Sequence, residues 1–131
     1  MIKTIDVGTK YPGVSLATLA SAKDLLFLTG HCPTDADGNA IEGSFEEQVN
    51  VTFENLRTTL QTAGLSFASV VKLNVYLTKV NPEILATFKK VRNTFVNLEA
   101  PPAFTVVGIS ELWDPKIMIE IDGIAVATSQ A

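Results

Sequence analysis

The sequence has 131 residues, 47% of them hydrophobic, which is enough apolar material for a folded core and too much for a disordered chain. The formal net charge is −4 and the Lys and Arg residues are scattered, so nucleic acid is not expected as a partner. No run approaches the ~20 apolar residues of a membrane span, and the first residues carry no secretory signal pattern. We therefore expect one domain over residues 1–131, cytoplasmic and without membrane contact.

The first part of the chain predicts strands. Residues 16–22 are typical of a weak strand, and residues 25–29 form a continuous apolar strand. A loop rich in Asp, Gly and Asn follows at residues 35–39. The single cysteine, Cys32, excludes an internal disulfide and is expected to be a small buried side chain.

A helix is predicted over residues 45–63. Its apolar positions recur at spacings of three and four, which is typical of a helix with one buried face. Ser44 and Glu47 match a capping box at its start. Gly64 follows its end, where a glycine in the left-handed conformation commonly stops a helix.

The second half repeats the pattern of strand, helix and strands. Residues 70–78 alternate between apolar and polar side chains. A second helix is predicted over residues 82–95, with Asn81 as its cap and Pro82 in its first turn. Two further strands are predicted, one at residues 103–109 and one that alternates from residue 117 onward.

These elements predict an α+β fold in which two helices cover one face of a sheet of five or six strands. Residues 25–28 and 104–109 are nevertheless apolar on both faces. A sheet face without a helix must be buried in another way. We therefore expect another copy of the chain to cover the second face.

Five segments resemble motifs of the RidA (YjgF) family, in the same order and at similar spacing. The family's strand ends in Ser-Gly-Gln-x-Pro, its signature is Pro-Ala-Arg-Ser-x-Val, and its closing strand reads Ile-Glu-Ile-Glu-Ala-Ile-Ala. The five segments here are 26–33, LFLTGHCP; 46–65, which begins EEQ and ends AGL; 70–78, VVKLNVYLT; 102–107, PAFTVV; and 119–125, IEIDGIA.

The resemblance implies a chorismate-mutase-like fold, a mixed six-stranded sheet with two helices on one face. It also implies a homotrimer with a small-molecule ligand in each inter-subunit cleft. Active family members hydrolyse reactive enamines and imines to ketoacids and ammonia, and they need no metal or organic cofactor. One histidine and one cysteine also make no metal-ligand set in this chain.

The resemblance carries over several site residues. Glu120 stands at the position of the family's catalytic glutamate, which helps to position the attacking water. His31 replaces a glutamine, and it is either an acid/base group or a neutral hydrogen-bonding residue. Gly30 is expected to keep its backbone role in the cleft, and Thr105 retains a hydroxyl beside the signature position. Asp122 is more often structural than catalytic in such a position.

The main departure from the family lies at Phe104, where an arginine normally pairs with the substrate carboxylate. Phenylalanine offers no charge and no hydrogen bond, so it cannot replace that group. Leu16 stands near the position of a cleft tyrosine, which makes the expected pocket more apolar. The two remaining arginines, Arg57 and Arg92, lie on predicted helices, and we expect both on solvated faces rather than as a relocated clamp. Trp113 either walls the cleft or anchors its loop.

Two functions follow from this pattern. The first is an enamine or imine deaminase acting on a substrate other than the usual 2-aminoacrylate type. The alternative is a non-catalytic module that binds a small, mostly apolar ligand in the same cleft. RNA cleavage, an activity ascribed to some family members, is disfavoured by the acidic charge.

Overall fold

The computed structural model describes residues 1–8 and 11–127. A short 3₁₀ turn at Phe67–Ser69 precedes the fourth strand. In chain order the strands and helices are β1 Ile2–Ile5, β2 Ala17–Ala20, β3 Asp24–His31, α1 Phe45–Thr62, β4 Val70–Leu77, α2 Pro82–Arg92, β5 Ala103–Gly108 and β6 Ile119–Ala127.

The main sheet has the strand order β3-β6-β4-β5. It is mixed, because β4 and β5 are parallel and the other neighbours are antiparallel. β1 and β2 form a separate antiparallel hairpin, so the six strands make two sheets rather than one continuous ladder. The hairpin segment reaches the main sheet through a bridge between Ser15 and Ala103 and a 2.8 Å hydrogen bond from the Thr18 hydroxyl to the Val71 carbonyl.

Helix α1 begins and ends close to the predicted positions. Both hydrogen bonds of the capping box between Ser44 and Glu47 form. Gly64 follows the C-cap with φ of +75°, a conformation that glycine adopts without strain. The apolar face of the helix packs on the core, where Val49, Phe53, Leu56 and Leu60 are fully buried and Phe45 is partly buried. None of the helices in the described residues is long and apolar enough to cross a membrane.

Helix α2 begins as predicted, with the Asn81 side chain accepting from the Ile84 amide and Pro82 in the first turn. It ends at Arg92, three residues before the predicted end at residue 95. The chain tightens there, because the Thr94 and Phe95 amides bond to carbonyls three residues earlier. Strand β1 is an element that the sequence patterns did not locate.

The strands place alternate side chains on two different faces. Leu73, Val75 and Leu77 of β4 point into the core beneath the helices. The opposite face, here called the open face, is not covered by any described helix. Its apolar side chains include Phe27, 71% exposed, and Leu25, 59% exposed. This agrees with the expectation that the chain by itself leaves one sheet face uncovered.

Candidate functional site

Glu120 is the centre of a small cluster on the open face. Its strand, β6, alternates, so that Ile119 and Ile121 enter the core and Glu120 points the other way. The Cys32 thiol donates a 3.0 Å hydrogen bond to Glu120 Oε1. The indole Nε1–H of Trp113 donates in turn to Cys32 Sγ at 3.3 Å. One carboxylate oxygen is therefore fixed by a chain of two hydrogen bonds.

Gly30 is required where β3 passes this carboxylate. A Cβ atom at residue 30 would overlap the Glu120 side chain. The register of β3 against β6 also shifts between Leu28 and His31, which is a bulge at the end of the strand. The glycine therefore allows the close approach of backbone and carboxylate.

Cys32 is buried and protonated. Burial, together with the hydrogen bond to Glu120, raises the pKa of its thiol to about 12, and the Trp113 bond only partly opposes this. Cysteine reacts as a thiolate, so this side chain is a poor nucleophile. Its role in the cluster is to donate a hydrogen bond to the carboxylate.

His31 lies on the other side of the sheet. It pairs in register with Ile121, whose side chain is in the core, and so its ring faces helix α1. Nδ1–H donates to the Thr29 carbonyl at 2.7 Å, and Nε2 shares a 2.7 Å hydrogen bond with the Thr59 hydroxyl. The fold thus separates His31 from Cys32, because consecutive residues of an extended chain point to opposite faces. Within one chain both ring nitrogens are engaged in hydrogen bonds away from Glu120, which favours the hydrogen-bonding interpretation of His31 over the acid/base one.

Two other polar groups of the open face are tied to neighbours. Asp122 accepts from Asn74 Nδ2 at 2.7 Å and from the Tyr76 hydroxyl at 2.9 Å, and the latter bond raises the pKa of Tyr76. This supports a structural role for Asp122. The Thr105 hydroxyl accepts from Lys72 Nζ at 2.6 Å.

Phe104 points away from this cluster, toward helix α2. Its ring packs edge-on against Phe88 with centroids 6.3 Å apart. It also lines an open cavity of about 610 Å³, here called the α2–β5 cavity, which includes the expected Leu16. The lining residues of the α2–β5 cavity are Tyr11, Pro12, Val14, Ser15, Leu16, Leu85, Lys89, Arg92, Asn93, Phe104 and Val106.

Arg92 corrects one expectation. It is not on a solvated helix face but only 3% exposed, with its guanidinium carbon 5.5 Å from the centroid of the Phe104 ring. Nη2 donates to the Pro12 carbonyl at 2.8 Å, and both Nε and Nη2 donate to Asn93 Oδ1. The missed signal was its place four residues after Phe88, beside the apolar stripe of the helix. Arg57 lies at the surface as expected and pairs with Glu54.

The expected site residues therefore form two separate groups within one chain. Gly30 and Glu120 meet at the open face, whereas Leu16 and Phe104 meet in the α2–β5 cavity, whose lining does not include Glu120. Trp113, 60% exposed, borders another cavity of about 560 Å³ in the loop before β6. Within residues 1–8 and 11–127, no group of three or more His, Cys, Asp or Glu residues is arranged to hold a metal ion.

Known proteins match this chain over most of its length. A family model described as endoribonuclease L-PSP matches residues 12–127. A RutC family protein of Pyrococcus horikoshii is 33% identical over 108 residues, which are 79% of this chain and 80% of that protein. TdcF of Escherichia coli K12, named as a candidate reactive intermediate deaminase, is 26% identical over 126 residues, 94% of this chain and 90% of its own.

The solved structures agree on the fold. YyfB from Yersinia pestis, described as a protein of unknown function in the conserved Rid family, superposes with a TM-score of 0.87 at 28% identity. The match covers 95% of this chain and 98% of YyfB.

Proposed function

The chain belongs to the RidA (YjgF) family, and from this premise we propose that it hydrolyses the C–N bond of an enamine or imine in a cleft between subunits. The position of Glu120 carries the proposal. Its carboxylate lies against the backbone at Gly30, and its Oε1 is held by Cys32. The other oxygen, Oε2, forms no hydrogen bond within residues 1–8 and 11–127, so it can accept from a water.

This geometry supports the following chemistry. Glu120 Oε2 accepts a proton from water as the water oxygen bonds to the carbon of a protonated C=N group. The resulting carbinolamine holds both the new C–O bond and the old C–N bond. The proton held by Glu120 then goes to the nitrogen, and the C–N bond breaks as the hydroxyl proton returns to the Glu120 carboxylate. A carbonyl compound and ammonia leave, and Glu120 passes that proton to ammonia or water. Water and the protonated imine supply every atom of the products.

The separation of the two groups of residues supports a site shared between copies. Glu120 and the α2–β5 cavity do not meet within one chain. A second copy lying on the open face would bury Phe27 and enclose the region beside Glu120. We propose such an assembly, a homotrimer as the resemblance implies, with the substrate in its clefts.

Phe104 indicates a substrate other than the usual 2-aminoacrylate type. It stands where the family carries an arginine, so strand β5 offers no cation there, and the phenyl ring makes this part of the cavity apolar. We therefore propose a substrate with a larger apolar body.

The cytoplasmic location expected from the sequence stays a prediction.

The test is to measure the hydrolysis of a panel of imines, generated in place from amino acids with small, branched and aromatic side chains. Loss of semicarbazone formation reports removal of the imine. Glu120→Gln should lower the rate about 10²- to 10⁴-fold, the range for loss of a general base. Glu111→Gln, in an exposed loop carboxylate, is the matched control and should retain the rate. Absence of acceleration by the wild type, or an equal rate in Glu120→Gln, would contradict the proposal.

The alternative is a binding module without catalysis. The apolar part of the α2–β5 cavity, formed by residues such as Leu16, Leu85 and Phe104, favours it. This alternative predicts saturable binding of small apolar compounds in ligand-detected NMR, with no turnover of any imine. The name of the matching family model suggests RNA cleavage, but the net charge of −4 argues against an RNA substrate.

A further inference from the structure

We propose that Arg92 of helix α2 is an anion-binding residue, and that the α2–β5 cavity takes a small monocarboxylate with an apolar body. The inference names a ligand class for the cavity that the proposed function uses, and it rests on that function only for the choice of site. Three observations carry it: the charge balance at Arg92, the unused donors of its guanidinium, and the lining of the cavity.

The first observation is a buried cation without a counter-charge. Arg92 is 3% exposed, and its partners Pro12 and Asn93 contribute only neutral oxygen acceptors. No carboxylate lies within ion-pair distance of it in the part of the chain that the structure describes. Buried charges in proteins are normally paired, so a ligand anion would supply the missing partner.

The second observation concerns the donors. Nε and Nη2 are used by Asn93 and Pro12, which fixes the plane of the guanidinium. Nη1 makes no hydrogen bond in residues 1–8 and 11–127. No buried side-chain nitrogen among those residues lacks a partner, so Nη1 must keep contact with solvent. Its two N–H groups therefore have no protein acceptor among those residues, and Arg92 is one of the residues that line the cavity.

The third observation is the chemistry of the walls. Lys89 adds a second cation, and no Asp or Glu within residues 1–8 and 11–127 lines the cavity. Phe104 and Leu16 contribute apolar surface close to these charges. Gly13 packs against the guanidinium so closely that a Cβ atom there would overlap it, and this holds Arg92 in place. A cation at one end and apolar surface at the other fit a carboxylate with an apolar body.

The position of this cation also accounts for Phe104. The guanidinium carbon lies over the Phe104 ring, 5.5 Å from the ring centroid, which is within the range of a cation–π contact. A second arginine at residue 104 would place two like charges in one small region. The cavity thus holds its guanidinium on helix α2 and an aromatic ring on strand β5.

The test compares two probes of the same shape, phenylacetate and phenylacetamide, by isothermal titration calorimetry on the intact protein. The wild type should bind the carboxylate about ten- to a hundredfold more tightly, as expected for a charge-assisted hydrogen bond. Arg92→Met should abolish this preference, and Arg92→Lys should keep part of it. Arg57→Met, which removes a surface arginine, is the matched control and should leave the preference unchanged.

A merely structural Arg92 would lower the melting temperature when replaced but leave the preference for phenylacetate intact, and that result would overturn the proposal. So would equal binding of the two probes by the wild type, or loss of the preference in Lys89→Met alone. If Arg92→Met does not fold, a crystal structure of the wild type with phenylacetate decides, because the carboxylate must lie within hydrogen-bond distance of Nη1. These readouts need no turnover, so an inactive protein can pass them and an active deaminase can fail them.

Discussion

The side chains around Cys32 determine whether its thiol is protonated and what it binds. The thiol is adjacent in sequence to His31, but the strand directs the two side chains to opposite faces. Its partners are a carboxylate and an indole, and the buried position keeps the proton on sulfur. A cysteine that the sequence suggested was only a small buried side chain therefore takes part in positioning Glu120.

The raised pKa of Cys32 predicts slow alkylation. With a pKa of about 12 instead of 9.0, the thiolate population at pH 8 falls about 10³-fold, and iodoacetamide should react correspondingly more slowly than with the unfolded chain. Glu120→Gln should accelerate the reaction, because the carboxylate contributes to the raised pKa. Mass spectrometry of timed samples measures this, with Glu111→Gln as the control. Equal rates in the folded and unfolded protein would contradict it.

The same shift has a consequence for stability. The thiol loses its proton at lower pH in the unfolded chain than in the folded one, so it favours the folded state fully below about pH 9. That contribution declines as the pH rises from about 9 toward 12. Between pH 8 and pH 10.5, urea unfolding should show a larger decrease in the free energy of unfolding for the wild type than for Cys32→Ala.

Phe104→Arg tests the local charge balance. The new guanidinium would lie beside Arg92 and would replace a ring that packs on Phe88. We expect a loss of about 1–3 kcal/mol in the free energy of unfolding, the usual range for an unpaired charge in a packed site. Phe104→Leu, which keeps an apolar side chain, should cost less. Urea denaturation measures both, and an unchanged midpoint in Phe104→Arg would show that the site is not packed as described.

At the scale of elements, the side chain of Gln48 connects helix α1 to the segment before β6. It donates to the Lys116 carbonyl at 2.7 Å and accepts from the Met118 amide at 2.9 Å. The sequence placed Gln48 on the helix, but only the fold shows that this buried amide fixes the end of the loop that carries Trp113. The arrangement of the Glu120 cluster therefore depends on a helix that does not itself contribute to it.

Gln48→Leu should destabilise the protein by about 1–3 kcal/mol, because it leaves the Lys116 carbonyl and the Met118 amide, both partly buried, without these partners. Gln61→Leu, at an exposed position of the same helix, is the control and should change the free energy of unfolding by less than about 0.5 kcal/mol. Thermal or urea unfolding monitored by circular dichroism makes the comparison. Equal effects of the two substitutions would contradict the assigned role.

For the whole molecule, the open face is the surface on which apolar strand side chains are left exposed. Phe27 and Leu25 are exposed next to a polar network centred on Asp122. An apolar patch with fixed polar groups is typical of a surface that meets a partner. This agrees with the proposed assembly of several copies around shared clefts.

Phe27→Glu should dissociate that assembly, because the new carboxylate would be buried without a partner at the interface. Light scattering should then report a smaller particle, with an unchanged far-ultraviolet circular dichroism spectrum. Thr58→Glu, on the exposed side of α1, is the control and should leave the mass unchanged. A wild type that is already monomeric would contradict the proposed assembly.

Both helices, most strands and the face of the last strand on which Glu120 lies follow from the amino-acid sequence alone. These depend on short-range periodicity and capping, which neighbouring residues specify. The sequence patterns did not predict the end of α2 at Arg92 or the strand β1. A tight last turn and a short hairpin depend on contacts with distant parts of the chain. The family pattern also marked Phe104 as a departure.

Which side chains meet depends on the three-dimensional packing of the elements. Arg92 lies twelve residues before Phe104 in the chain, yet its guanidinium lies over that ring, while His31 and Glu120 occupy opposite faces of one sheet. Helical periodicity assigns a residue to a face but not to a partner, because the partner depends on how the helix packs on the sheet. That packing buries an arginine that the sequence suggested was solvated, and it brings no carboxylate of the described residues within ion-pair distance of it.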